Sequence, residues 1–249
     1  MGPMDRLTLR HIRGAPGIAA DFSEELAAFY RRFVDCPKPA FLAALRLADE
    51  LYLLRNKAEE LVGFAALRTV ETTLEERPAH VLYVLYIDLD PSVRGRGIIE
   101  RIGLARYLSY RMRHPVGRTF VMFSASTVMS YLLMARNFAT FWPTHDRPMP
   151  PAIAALLSNV AQTLGLAGWD PQAGVLHRHG VLRYREGVAS APLLPTADPR
   201  TRFYVARNPG QTQGDSLLCV FPVTVGNAAA VLVRVLPRWR RLARARRVL

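Results

Sequence analysis

The chain is poor in cysteine, lysine and acidic residues. Cys36 and Cys219 are its only thiols in 249 residues. Two thiols so far apart suggest no disulfide framework and no zinc site, and a reducing cytoplasm is the expected home. Against 31 Arg there are 2 Lys, Lys38 and Lys57, a bias read as codon usage, so that a single arginine says little by itself. With only 20 Asp and Glu the formal net charge is +13, a field that favours anionic ligands, acidic partners or anionic membranes. Residues 1–14 mix charge into the sequence and offer no signal-peptide core. Arg6 stands where N-myristoylation needs Ser or Thr. No internal repeat is present. The long uncharged run Ser216–Val233 is interrupted by Pro222 and Gly226-Asn227, so its first half reads as a strand rather than a membrane span.

Half of the residues are hydrophobic and 21% are charged, a globular composition. Leu7–Ile12 alternates and reads as a first strand. Ser23, followed by Glu24 and Glu25, starts a helix reaching about Val34, which Pro37 and Pro39 break. A second helix, Ala40–Ala48, precedes a hairpin of Leu51–Arg55 and Leu61–Val70 around Asn56-Lys57-Ala58-Glu59. A charged loop, Glu71–Arg77, leads to Val81–Leu89, apolar on both alternating faces as befits a strand covered on both sides. Helix Gly97–Arg113 sets Ile99, Ile102, Ala105, Leu108 and Met112 on one stripe and ends at Pro115 and Gly117. With Thr119–Ser124 as the next strand, Val81–Ser124 reads as strand, right-handed crossover helix and parallel strand. Val128–Phe138 is a further helix. Pro151 opens another that reaches Leu164. Gly165–Arg200 is loop-rich, and Phe203–Ala206 with Leu217–Val225 is expected to form a last antiparallel pair.

The most informative stretch is Leu89-Asp90-Pro91-Ser92-Val93-Arg94-Gly95-Arg96-Gly97-Ile98-Ile99, between the apolar strand and the long helix. Glycines let a backbone approach an anion closely, and the free N–H groups of a helix N-terminus point at it, which suits a pyrophosphate. A tight strand-to-helix turn with no ligand is the alternative reading. At these residues the chain resembles the GCN5-related N-acetyltransferase (GNAT) superfamily, whose signature is Arg/Gln-x-x-Gly-x-Gly/Ala. Arg94-Gly95-Arg96-Gly97-Ile98-Ile99 fits it except at the last position, where Ile99 replaces a small residue. The resemblance covers roughly Leu7–Phe138.

That resemblance implies an α/β (α+β) fold with a mixed, mostly antiparallel central sheet flanked by helices. It implies an acyl-CoA-binding core at 1–139, an insertion at 140–200 shaping the acceptor side, and final strands with a basic C-terminal helix at 201–249, all in one continuous domain. The N–H groups of Arg94, Gly95, Arg96, Gly97, Ile98 and Ile99 would hold the pyrophosphate of acetyl-CoA or a longer acyl-CoA. The thioester would lie beside Tyr86, Ile87, Asp88 and Leu89, and an amine on a small molecule, lipid or protein would attack it directly. The position that often holds a general-acid Tyr in the family is Leu133 here. His80, Tyr83 and Tyr131 are the candidates for proton transfer, with water as the alternative acid; Asp88 reads as a base or as a structural carboxylate. A non-catalytic CoA-binding or membrane-recruited module is the rival reading.

His177 and His179 could face one way on a strand, but no third ligand stands at convincing spacing, so no metal is expected. In the tail, Leu232, Val235, Leu236, Trp239, Leu242 and Ala243 share a helical arc opposite several arginines. That pattern suits either a surface helix packed by its apolar stripe or peripheral contact of Arg238–Leu249 with the inner membrane face. Nucleic acid is not indicated, since aromatic and basic residues do not interleave.

Overall fold

The computed structural model describes residues 7–14, 17, 19–113, 118–178, 181–185 and 198–233; Pro115, Gly117, His179 and Arg238–Leu249 lie outside these. β1 (Thr8–Arg13) leads through α1 (Ser23–Tyr30), the two-residue β2 (Val34–Asp35) and α2 (Lys38–Leu45) into a meander of β3 (Glu50–Arg55), β4 (Leu61–Leu74) and β5 (Arg77–Leu89). α3 (Ile98–Arg113) crosses to β6 (Arg118–Ala125), which is followed by α4 (Val128–Asn137) and α5 (Pro151–Thr163). The short strands β7 (Trp169–Asp170), β8 (Val175–Leu176) and β9 (Arg183–Tyr184) precede α6 (Pro199–Arg207) and β10 (Ser216–Pro222). A last helix, α7, occupies 225–233.

Eight strands form one sheet in the order β1-β3-β4-β5-β6-β10-β8-β7, while β2 and β9 pair separately. β5 and β6 run parallel; the other paired strands of the described residues run antiparallel. The sheet is therefore mixed and mostly antiparallel, with helices on both faces. Its period-two alternation divides the core. Leu51, Leu53, Phe64 and Ala66 pack against α1 and α2, and Val81, Tyr83 and Met122 pack against α5. On the opposite face Tyr52, Ala65, Leu67 and Leu82 meet Ile102 of α3, and Leu217 and Cys219 lie under α4 and α6. Each such fully buried leucine or phenylalanine contributes about 1.5–3 kcal/mol relative to exposure.

Several local expectations are corrected. The charged loop Glu71–Arg77 is part of a long hairpin: β4 continues to Leu74, and Glu75 and Glu76 make the whole turn at φ +52° and +62°. Both values match the two-residue turn whose twist fits paired strands. Phe203–Ala206 is helical because Asp198 accepts the Arg200 N–H and Pro199 sits in the first turn, so α6 starts there. β10 consequently pairs with β6 and β8 and ends at Pro222. α1 stops at Tyr30, and Val34 turns out to pair with Tyr184. Pro37 and Pro39 do not end α1; they flank Lys38 at the start of α2. The loop-rich segment does contribute structure, since β7 and β8 extend the sheet edge.

Candidate functional site

The sheet opens at one place. β5 and β6 are paired from Ala79↔Arg118 to Val84↔Phe123 and no further, although β5 continues to Leu89. On the other side β4 keeps β5 in register up to Gly63↔Leu89. Between Ala66↔Tyr86 and Leu67↔Val84 the register slips and leaves Leu85 as an extra residue. Such a bulge bends its strand locally, here where the two parallel strands part. From Leu85 onward, the β5 edge that faces β6 has no sheet partner among the described residues.

The turn that follows is held by its own side chains. Asp90 accepts from the Ser92 N–H (3.0 Å) and hydroxyl (2.7 Å), and Arg32 donates to its other oxygen at 2.6 Å. Arg94 Nε donates to the Leu89 carbonyl and an Arg96 Nη to the Ser92 carbonyl, both at 2.9 Å, so two positive charges are tied along the turn. Gly95 and Gly97 adopt φ of +73° and +71°, a region open to glycine and strained for other residues. Among the described residues no protein acceptor meets the N–H groups of Gly95, Arg96, Gly97, Ile98 or Ile99. Consecutive N–H groups of this kind ahead of a sixteen-residue helix have the geometry that can cradle an anion.

On one face of the sheet the split adjoins an apolar groove of about 240 Å³ between α3, α4 and α7. Val84 of β5 and Phe123 of β6 form its floor, Ile102 and Leu133 its walls. One end, at Ile87 and Ile99, adjoins the glycine turn; the other reaches Tyr110 and Thr119. Ile99, at the position where the signature has a small residue, thus contributes to the groove lining.

The opposite face of the split is polar. Tyr86 packs 4.9 Å from Phe41 and 5.1 Å from Tyr30, ring to ring, and Asp88, two residues on, shares its side of the strand. Burial raises the Asp88 carboxyl to about 6, against which the Arg94 charge pulls only partly. Burial also raises the Tyr184 phenol, to about 12, with the Asp88 charge adding to it and a Ser126 hydrogen bond opposing. The β2–β9 pair brings Tyr184 to this face, locked further by the Arg185 N–H on the Phe33 carbonyl (2.9 Å). Arg178 acts electrostatically on Cys36, Tyr86 and Tyr184, and its own N–H donates to buried Asp215 at 2.9 Å. Asp215 also holds His177 Nδ1 at 2.8 Å, which raises the imidazole pKa.

The residues singled out for proton transfer lie in three different settings. His80 pairs across from Thr119, four residues before the split, about 13 Å along the strand from Val84. Tyr83 is buried one residue before the split, its hydroxyl 2.9 Å from Ser124 Oγ on β6. Tyr131 is fully buried in α4, donates to the Pro143 carbonyl at 3.2 Å, and has its phenol pushed up by burial. Tyr86, Ile87, Asp88 and Leu89 form the unpaired strand end, and Arg94–Ile99 the glycine turn. The sequence reading does not single out Tyr184 or Arg178: Tyr184 sits on a two-residue strand with no periodicity, and Arg178 lies in the loop before it.

No protein-family profile matches the chain, and no curated protein sequence does. Among solved structures, it is similar to the GNAT family N-acetyltransferase YhbS of Escherichia coli in complex with CoA, with 12% identity, 51% of this chain and 66% of that one covered, and a TM-score of 0.36. It is also similar to NAA60 of Arabidopsis thaliana with a bisubstrate analogue, at 16% identity, 58% and 90% coverage and a TM-score of 0.38. Eis1 of Mycobacterium abscessus shows 19% identity, 59% and 36% coverage, and a TM-score of 0.38. The chain thus spans 66% of YhbS and 36% of Eis1. Likenesses this loose carry no residue roles across; the turn, the split and the two faces stand on their own geometry.

Proposed function

We propose that this chain is a GNAT-type, CoA-dependent N-acyltransferase that moves an acyl group from acyl-CoA to an amine. One observation carries the reading: parallel strands part beside a helix-leading turn whose N–H groups Gly95–Ile99 meet no acceptor among the described residues. Those groups, with Arg94 and Arg96 alongside, suit a pyrophosphate. The apolar groove suits the pantetheine arm, which would enter past Ile87 and Ile99 and bring the thioester to the split.

The amine then approaches from the polar face. Asp88, with its carboxyl near 6, is ionised above that pH and is basic enough to take the proton the attacking nitrogen must lose. As the C–N bond forms, the thioester carbonyl becomes an oxyanion, and the free N–H groups of the Tyr86–Leu89 edge are the fixed donors available to it. The C–S bond breaks, the thiolate leaves along the groove, and water returns a proton to sulfur. Tyr83 through Ser124, Tyr184 and Arg178 would orient the acceptor. That acceptor is an amine-bearing small molecule, lipid or protein. Among the described residues no helix is long and apolar enough to cross a membrane.

Isothermal titration with CoA tests the reading. Saturable binding is expected in the native sequence and its loss in a folded Gly97→Asp variant, where a carboxylate enters the anion cradle. CoA binding undisturbed by Gly97→Asp contradicts it. A binding module without chemistry has support in Leu133 and in the sealed position of Tyr131. Thiol release from acyl-CoA in the presence of amines separates the two; silence over a broad panel of donors and amines, with CoA still bound, favours the module.

A further inference from the structure

The chemistry above leaves a buried charge cluster unused. Glu50, 3% exposed at the start of β3, accepts from Arg13 at 3.0 Å and His11 at 3.2 Å, and Arg106 reaches it from α3. Burial lowers the His11 pKa from its ordinary value, and the Glu71 charge also acts on Tyr110 nearby, so Glu50 is shared by two guanidinium groups with a second carboxylate at hand. Arg106 is 5% exposed and spends only Nη2 on Glu50; its guanidinium lies 5.3 Å from the Tyr110 ring, and its Nε and Nη1 are buried and meet no hydrogen-bond acceptor among the described residues. It also lines the groove, whose neighbouring walls there are Leu67, Leu82, Ile102 and Val121.

The register fixes the level of this cation. Glu50 pairs with Leu67, and Leu67 with Val84, the last β5 residue paired to β6. Arg106 is therefore anchored on the strand row at which the sheet splits, and the groove continues past it to Tyr110 and Thr119. Neutralising Glu50 does not require this arrangement, because Arg13 already does so. Buried N–H groups without acceptors are rare in native proteins and point to a missing partner. In an apolar groove, a buried guanidinium with two unused N–H groups is complemented by an anion at the end of an apolar chain.

We propose that this end of the groove receives the acyl chain of the donor and selects chains ending in a carboxylate, that is, CoA monothioesters of dicarboxylic acids, with Arg106 Nε and Nη1 as the groups that bind the carboxylate. The inference rests on the acyl-CoA reading above. It is tested by equilibrium binding of CoA, hexanoyl-CoA and adipoyl-CoA, the last two having the same chain length, to the full chain. Adipoyl-CoA is expected to bind at least about tenfold more tightly than hexanoyl-CoA. In Arg106→Gln that preference disappears, whereas a general attraction to the basic surface would survive the substitution. The Glu50→Gln/Arg106→Gln pair avoids stranding a buried carboxylate should the single variant fold poorly, and it is expected to show the same loss. The wild-type ratio decides the matter even without the variants. CoA bound but adipoyl-CoA no tighter than hexanoyl-CoA overturns this inference alone; none of the three bound overturns it together with the acyltransferase reading.

Discussion

In the proposed mechanism Asp88 concentrates the chemistry at one residue. Its carboxyl is raised to about 6 by burial, and the same shift has a stability consequence. A folded-state pKa above the unfolded value means that folding takes up a proton between the two, so stability falls as pH rises from about 4 to about 6 and then stays level. Asp88→Asn removes that cost. The variant is expected to be more stable than the native chain above pH 6, by up to about 3 kcal/mol, and indistinguishable below pH 4 in thermal melts. Its kcat/KM should fall about 100-fold and lose the limb that rises through pH 6. A faster or unchanged enzyme would remove Asp88 from the mechanism. Asp215 is the supporting residue on the proposed acceptor side. With its carboxylate serving His177 and the Arg178 N–H, Asp215→Ala is expected to cost about 2–4 kcal/mol in urea unfolding. It should also bring the His177 titration, followed by NMR, back down toward 6.5. The His177–Asp215 charge pairing stabilises below that value and is lost as pH rises through the raised folded pKa.

At the scale of elements, the glycine turn and the strand before it are legible in the sequence, and the β2–β9 face of the split is not. β5 is a largely apolar run, and the spacing of Gly95 and Gly97 marks a turn feeding a helix, so local sequence is enough to place the turn proposed as the anion cradle. Tyr184 reaches the site through β9, two residues long and paired with Val34, which is 150 positions earlier. No local pattern encodes such a contact. Phe203–Ala206 misled for a different reason: four mostly apolar residues fit strand and helix alike, and the Asp198-Pro199 start decides for helix. The β4–β5 turn reads as a loop in the sequence because Glu75-Glu76 lacks the usual turn residues. Both glutamates sit at positive φ, so Glu75→Asn with Glu76→Gly should relieve strain and stabilise by about 1 kcal/mol, seen as a higher Tm. In α4, Thr127 and Ser130 close a reciprocal cap, and Thr127→Ala should cost about 1 kcal/mol.

For the whole molecule, a parallel pair set into an antiparallel sheet is what makes an opening possible. β4 and β10 hold β5 and β6 from outside while, among the described residues, no strand pairing joins them past Val84, so groove and polar face meet without any strand ending early. The formal charge of +13 adds a long-range field for a polyanionic ligand. CoA affinity should therefore weaken roughly tenfold between about 0.02 M and about 0.3 M salt, as screening shortens that field. The central claim is that the Gly95–Ile99 N–H groups bind the CoA pyrophosphate, and backbone amide NMR during a CoA titration tests it most directly. Large, saturable shifts at Gly95, Arg96 and Gly97 with a common dissociation constant are predicted; CoA binding that leaves those amides unmoved, or no binding at all, would contradict it.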